Sequence, residues 1–325
     1  MATDRISLVR EIHGRQVTFV THIKPHLDEL WALRMIVQNA TPTWLDSHTV
    51  DNTIKLGIDG SEFDEHSKDP KKRKDCCATL VAKSLGLDQD PAFDDILKWL
   101  FGADSEGSGH PYDVYNGVKA LNEAHPENPE RVFEWADMFM SVKEKAQRDF
   151  IRSTDAVKAA LFDKRVTTVM NNKVPEGQGE LNILIVESDA GMVMKAATKL
   201  IKTRLAAVIQ RRPDRSVQIY TNKASGASMR EVIRLLRIAE LRQKKSKEVL
   251  DEKTAREPGS IELVPEWFYF LDGDMIFNHS LTAQTAPLTN LSLQVIADCV
   301  RMGLDAHFNP KPRTMPRAMT NTNAS

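Results

Sequence analysis

A strand-to-helix unit near the N-terminus constrains the fold most strongly. Residues 16–21 (QVTFVT) form a short β-branched run that predicts a buried strand, and residues 30–37 (LWALRMIV) have the apolar density of a helix. His22 ends the strand, and Asp28 and Glu29 fall in the predicted first turn of the helix, where acidic side chains are favoured. Because open α/β sheets bind ligands where their strands end, this unit is a candidate site.

The rest of the chain continues to alternate strands and helices, which is typical of an α/β fold. Further strands are predicted at residues 53–58 (TIKLGI), 181–186 (LNILIV), 216–220 (SVQIY) and 267–271 (WFYFL). Further helices are predicted at residues 76–85, 94–101, 113–123, 131 to about 163, and 230–250.

A polar segment containing glycine and proline, residues 171–180 (NNKVPEGQGE), is the predicted domain boundary. We therefore predict an N-terminal α/β domain with a parallel sheet over residues 1–170. A smaller C-terminal α/β domain is predicted over residues 171–308. Residues 309–325 have no apolar periodicity and are predicted to be a disordered tail.

Composition excludes several classes of function. The chain has 44 Lys and Arg against 45 Asp and Glu, so no overall basic field indicates a nucleic-acid binder. The first residues carry charges where a signal peptide would be apolar, and no run approaches the roughly 18 apolar residues of a membrane span. Three cysteines suit a reducing compartment. We expect a soluble, cytoplasmic protein without a membrane partner.

Two clusters of histidine and carboxylate follow the first two predicted strands. The first is His22-x-x-x-His26-x-Asp28, and the second comprises Asp59 and the run 64–66 (DEH). Imidazole nitrogen and carboxylate oxygen are suitable metal ligands, and ligands from two strand ends of a parallel sheet would converge. The alternative for the first cluster alone is a polar loop that caps a helix. Together the clusters favour a divalent-metal site.

Asp104 is a third candidate ligand, at the end of a predicted helix in the segment LFGADSEG. From its local sequence it is more typical of a turn residue. Its assignment to the metal site depends on the comparison that follows.

The order of these residues resembles the DHH phosphoesterase superfamily, which includes RecJ-type nucleases and manganese inorganic pyrophosphatases. That superfamily carries a His/Asp cluster, an isolated Asp, the Asp-His-His signature and a further Asp. The corresponding residues here are His22, His26 and Asp28, then Asp59, then Asp64-Glu65-His66, then Asp104. The resemblance implies that His22, His26, Asp28, Asp59 and Asp104 are metal ligands.

The chain is more similar to the branch of metal-dependent hydrolases named for the melanocyte proliferating gene product. Those proteins have a Thr-His motif that leads to His-x-Asp-Glu, as Thr21-His22 and His26 to Glu29 do here. Near the C-terminus they have a strand, then Gly, then a loop with His, which corresponds here to Gly273 and His279. The resemblance implies that these two residues bind the substrate phosphate.

The implied activity is hydrolysis of phosphodiester bonds by a metal-activated water, with Mn²⁺ or Mg²⁺ as cofactor. The substrate would carry phosphate, with single-stranded nucleic acid among the candidates, and a homo-oligomer is compatible with the family. Glu65 and His66 would be the catalytic pair. Two departures matter: His26 stands where the superfamily has Asp, and Glu65 replaces the first His of the signature.

Three hypotheses remain open at this point. The first is the phosphoesterase. The second is a metal- or nucleotide-binding regulatory module that has lost turnover because of Glu65 and His26. The third is an unrelated α/β protein in which the His and Asp residues do not converge. The basic run at residues 68–74 (KDPKKRK) and the arginines at positions 230, 234 and 237 would be phosphate contacts only under the first two.

Overall fold

A computed structural model describes residues 5–66, 74–107, 110–170, 179–280 and 285–305 of the chain. Two compact units, Met1–Ile151 and Arg152–Ser325, are described separately below as the N-terminal and C-terminal units. Both combine helices with a β-sheet, so the mixed α/β class is confirmed. Of the predicted boundary segment, residues 171–178 lie outside the described residues, as does the predicted tail.

The N-terminal unit has a mixed three-stranded sheet. Strands β1 (Arg5–Ile12) and β2 (Arg15–His22) form an antiparallel hairpin, and β3 (Thr53–Lys55) pairs with β2 in parallel. His13 and Gly14 both have positive φ at the hairpin turn, a conformation that matches the twist of the strands it joins. No element was predicted at β1, and its antiparallel pairing with β2 makes the sheet mixed, so the predicted parallel sheet is not confirmed.

Of the six α-helices described in the N-terminal unit, all but α2 overlap a predicted helix. They are α1 (Leu27–Asn39), α2 (Pro42–His48), α3 (Cys77–Leu85), α4 (Pro91–Glu106), α5 (Val114–Ala124) and α6 (Pro129–Phe162), the last of which continues past Ile151. Helix α3 ends at Leu85, and Gly86 follows it in a left-handed conformation (φ 71°) that closes the helix. Helix α1 is buried without interruption from Leu27 to Ile36 and forms the centre of the core.

The C-terminal unit has a seven-stranded sheet. Its strands in chain order are β4 (Val166–Met170), β5 (Glu180–Glu187), β6 (Leu205–Arg211), β7 (Val217–Thr221), β8 (Gly259–Ile261), β9 (Val264–Phe270) and β10 (Met275–Asn278). The spatial order is β4-β5-β6-β7-β10-β9-β8. Only β5 and β6 pair in parallel, and helix α7 (Val193–Ile201) connects them. This sheet is therefore mostly antiparallel.

Two helices, α8 (Arg230–Gln243) and α9 (Leu293–Leu304), contribute to the core of the C-terminal unit. The prediction that the first of them extends to residue 250 was wrong. The run after Gln243 (KKSKE) has no apolar side chain to bury, and Lys245 adopts a left-handed conformation that ends the helix. Residues 275–278, which were assigned to a loop, form β10 because Ile276 is buried between β7 and β9.

Candidate metal centre

Three of the predicted ligands converge in the N-terminal unit. One nitrogen of His26 and one carboxylate oxygen each from Asp28 and Asp104 all lie within 4.8 Å of one another. We call these three residues the metal triad. His26 precedes α1, Asp28 lies in its first turn, and Asp104 lies in the last turn of α4. His26 is exposed and Asp28 is buried, so a small ion could reach the triad from solvent.

Asp28 is the buried member of the triad, with 2% of its surface exposed. Its Oδ2 accepts a hydrogen bond of 3.0 Å from the backbone N–H of Cys77, the first residue of α3, where the helix dipole favours a negative charge. Its Oδ1 has no hydrogen-bond partner among the described residues. Burial raises the pKa of Asp28 well above its usual value, and the nearby charges of Glu29 and Asp104 raise it further. A bound cation would stabilise the ionised form.

Asp104 is half-buried, and burial raises its pKa against the opposing influence of His26 and His66. Asp104 lies within the last turn of α4, which continues to Glu106, beyond the predicted end at residue 101. Its proximity to His26 and Asp28 depends on residues that are far apart in the sequence, so the local sequence does not predict it.

Glu29 was not predicted to belong to the site, yet it contacts two of the predicted ligands. Its side chain is 3% exposed, and both of its oxygens are engaged. Oε1 lies 2.5 Å from Nδ1 of His22, and Oε2 accepts a hydrogen bond of 2.6 Å from the backbone N–H of His26. The hydrogen bond to Glu29 raises the pKa of His22. The signal was present as a glutamate three residues after the N-cap, which is the spacing of a capping box.

The other two predicted ligands are not members of the triad. His22 is held by Glu29, and its ring stacks at 6.1 Å from that of His26. Asp59 forms ion pairs with Arg5 and with Lys55, the latter at 3.2 Å. Arg5 belongs to β1, which was not predicted, so this competing partner of Asp59 was not expected.

The run Asp64-Glu65-His66 lies in the turn that follows β3. Both oxygens of Asp64 accept backbone hydrogen bonds, from Gly60 at 2.6 Å and from His66 at 2.9 Å, so this side chain shapes the turn. Oε1 of Glu65 lies 3.2 Å from Nε2 of His66, and Oε2 is buried with no partner among the described residues. Burial raises the pKa of Glu65. His66 is exposed.

The predicted substrate-binding residues belong to the C-terminal unit. Gly273 lies in the turn between β9 and β10, where an added Cβ would approach Met275 and Phe270 to 2.4 and 2.5 Å. His279 follows β10 in a left-handed conformation, with Nδ1 2.9 Å from the carbonyl oxygen of Ala286. Both positions have a role in the local backbone, and their binding of substrate stays a prediction.

Two sets of basic residues were predicted to contact phosphate: the run 68–74, and the arginines at positions 230, 234 and 237. In the run 68–74, residues 68–73 lie outside the described residues. Arg237 is fully buried and cannot contribute to a phosphate-facing stripe, because its guanidinium donates to backbone carbonyls inside the C-terminal unit. Arg234 pairs with Glu231.

No protein-family model, no curated protein and no solved structure matches this chain. Within the described ranges, no helix has the length and apolar character that crossing a membrane requires.

Proposed function

We propose that the N-terminal unit binds a divalent metal ion at the metal triad and that the protein uses this ion to hydrolyse phosphoester bonds of a nucleic acid or nucleotide. The observation that carries the proposal is the convergence of His26, Asp28 and Asp104. It is supported by a buried oxygen of Asp28 that has no hydrogen-bond partner among the described residues.

The donor atoms of the triad fit this role. One imidazole and two carboxylates suit Mn²⁺ and related divalent ions, with Mg²⁺ favoured as carboxylates come to dominate. Three protein ligands leave coordination positions for water and substrate. The metal, when bound, would polarise a phosphoryl oxygen and lower the pKa of its water.

The surrounding residues hold the site in place. One buried carboxylate, that of Glu29, orients the imidazole of His22 and fixes the backbone of His26. With Nδ1 of His22 engaged, its Nε2 is the ring nitrogen that would donate a hydrogen bond to a phosphate oxygen.

We extend the proposal to a distant relationship with the DHH phosphoesterases. Strands β2 and β3 are parallel neighbours, and candidate residues follow both: His26 and Asp28 after β2, and Glu65 after β3. This arrangement supports the relationship because parallel strands deliver the residues that follow them to one edge of a sheet.

The test measures metal binding and hydrolysis together. We expect the full-length protein with Mn²⁺ to cleave bis-p-nitrophenyl phosphate or short single-stranded oligonucleotides. Asp28→Asn and Asp104→Asn should each lose this activity. Glu106→Gln, an exposed change two residues after Asp104, is the matched control and should retain it. Activity that survives Asp104→Asn would refute the proposal.

A regulatory module that binds metal without turnover is the second candidate. Two ligands that a second metal ion would need, His22 and Asp59, are engaged by Glu29 and by Arg5. Wild-type protein that binds Mn²⁺ but is inert on every phosphodiester tested would favour this candidate.

A cytoplasmic location and homo-oligomerisation are parts of the same proposal. Cys76, Cys77 and Cys299 are all free and buried, which suits a reducing compartment. Light scattering during size-exclusion chromatography would measure the oligomeric state.

A further inference from the structure

The buried face of helix α5 carries an amide side chain. Tyr115, Val118 and Asn122 are the buried residues of this helix, and their spacing of three and four positions places them on one side of it. Asn122 is 6% exposed. Burial of an amide is unfavourable unless the amide is hydrogen-bonded, so the partner of Asn122 should account for its presence on this face.

Asn122 contacts the segment that connects β2 to α1. Its Nδ2 donates a hydrogen bond of 2.9 Å to the carbonyl oxygen of Pro25, which is far away in the sequence. Pro25 directly precedes His26, the exposed member of the metal triad. The hydrogen bond therefore connects α5 to the backbone that carries a candidate metal ligand.

The peptide bond between Pro25 and His26 is held at both of its polar groups. Asn122 binds the carbonyl group of Pro25, and Oε2 of Glu29 accepts a hydrogen bond of 2.6 Å from the N–H of His26. Because a peptide unit is planar, these two groups belong to one rigid plane. Two buried side chains, one from α5 and one from α1, thus fix the orientation of that plane.

The orientation of this peptide matters because His26 is exposed, whereas Asp28 is buried and receives a hydrogen bond from Cys77. A ligand on a mobile backbone binds an ion more weakly, since binding must also offset the loss of conformational entropy. A metal site needs its ligands held close to their final geometry by supporting hydrogen bonds. The two hydrogen bonds to the Pro25–His26 peptide meet this need.

We propose that Asn122 is a positioning residue of the metal site, which fixes the Pro25–His26 peptide so that the imidazole of His26 is oriented before the ion binds. This inference rests on the proposed metal site. Asn122 acts through His26 and does not itself bind the ion. A residue that only fills the core would affect metal binding equally with or without the imidazole, so the two roles can be separated.

The experiment is a double-mutant cycle in metal-free, full-length protein. The electron paramagnetic resonance signal of unbound Mn²⁺ measures the affinity. Asn122→Leu keeps the approximate size of the side chain but cannot donate to Pro25. We expect its Mn²⁺ affinity to fall about 10-fold, the lower end of the effect of losing a supporting hydrogen bond at a metal site. In the His26→Ala background, the same change should alter the affinity by less than about 2-fold.

Asn116→Leu is the matched control. Asn116 lies earlier on α5, and its Nδ2 donates a hydrogen bond of 2.9 Å to the carbonyl oxygen of His110. The change removes the same kind of hydrogen bond from the same helix, and we expect the Mn²⁺ affinity of the wild type. Circular dichroism without metal checks the fold of each variant. If Asn122→Leu misfolds, Asn122→Ala, which cannot overpack the site, takes its place in the cycle.

The outcomes separate this inference from the proposed site. If His26→Ala weakens Mn²⁺ binding and Asn122→Leu does not, the triad stands and Asn122 is not a positioning residue. The same conclusion follows if the effects of the two changes add in the double variant. If His26→Ala binds Mn²⁺ as the wild type does, or the wild type binds none, the proposed site is wrong and the role of Asn122 is refuted with it.

Discussion

Glu29 connects the end of β2 to the start of α1, because its Oε1 lies 2.5 Å from Nδ1 of His22 while its Oε2 accepts from the backbone N–H of His26. One carboxylate thus serves as the cap of a helix and as the support of two histidines. The two roles need different properties of the side chain. A helix cap needs a hydrogen-bond acceptor, whereas the partner of a histidine also benefits from a negative charge.

Replacing Glu29 should therefore affect both stability and metal binding. We expect Glu29→Ala to lower the free energy of unfolding by roughly 1–2 kcal/mol, because a helix cap is lost and the partly exposed imidazole of His22 loses its partner. Mn²⁺ affinity should fall about 10- to 100-fold as the support of His26 is removed. Urea denaturation and calorimetry measure the two effects.

Glu29→Gln is the matched variant, because glutamine also completes a capping box. We expect most of the stability to return and the pKa of His22, measured by NMR titration, to fall, since the hydrogen bond to the carboxylate is what raises it. Equal loss of stability in the alanine and glutamine variants would contradict this account.

Gly57 and Gly60 provide a natural comparison in the loop after β3. Both have left-handed backbones, with φ of 65° and 63°. A Cβ at Gly57 would lie 2.4 Å from Oε1 of Glu29, whereas nothing lies within 4 Å of a Cβ at Gly60. We expect Gly60→Ala to cost about 1 kcal/mol from backbone strain alone. Gly57→Ala should cost at least about 1 kcal/mol more, because Glu29 is fixed at both oxygens and cannot retreat.

The two glycine variants also separate strain from function. Gly57→Ala displaces Glu29 and should weaken Mn²⁺ binding, and Gly60→Ala should leave it unchanged. Thermal unfolding and metal titration of the pair, read side by side, measure both differences. If the two variants had the same stability and the same Mn²⁺ affinity, the side chain of Glu29 would have room to move.

Features that depend on residues close together in the sequence could be predicted, and features that depend on residues far apart could not. The β-branched run before His22 and the apolar density of α1 are local patterns, and both elements form as predicted. Asp59 lies outside the triad and pairs with Arg5, a residue of a strand for which no element was predicted. Asp104 and Asp28 are far apart in the sequence, so no local pattern predicts that they lie close together.

Arg237 is the central polar residue of the C-terminal unit. Its guanidinium donates to several backbone carbonyls, among them those of Ala255, Glu257, Gly259 and Trp267 at 2.6–3.3 Å. Burial lowers its pKa to about 10. We expect Arg237→Lys to lower the free energy of unfolding by about 2–4 kcal/mol, because an ammonium group cannot reproduce the planar fork of donors.

Arg234→Lys, three residues earlier on α8, is the control for Arg237→Lys. Arg234 is partly exposed and pairs with Glu231, so lysine can keep most of that interaction. We expect a change within about 0.5 kcal/mol. Urea denaturation compares the two variants, and comparable losses would mean that Arg237 acts only as a charge.

Glu231 should give the C-terminal unit a pH-dependent contribution to stability. Burial alone would raise its pKa, but hydrogen bonds from Arg256 and Arg234 outweigh burial and lower the pKa below its ordinary 4.5. A folded-state pKa below the unfolded one gives stability that is complete above the unfolded value and is lost as the pH falls through the folded value. We expect Glu231→Gln to be less stable than the wild type by on the order of 1–2 kcal/mol at pH 7.

The difference in the free energy of unfolding between wild type and Glu231→Gln should therefore become smaller as the pH falls below 4.5, the ordinary pKa of a glutamate. Glu252→Gln is the control, because Glu252 bonds the same arginine at 3.1 Å from a largely exposed position. An exposed pair contributes little, so we expect a change of less than about 0.5 kcal/mol at any pH. Urea denaturation at several pH values measures both gaps. If the Glu231→Gln gap kept its full size at pH 3, the ion pairs with Arg256 and Arg234 would not be its source.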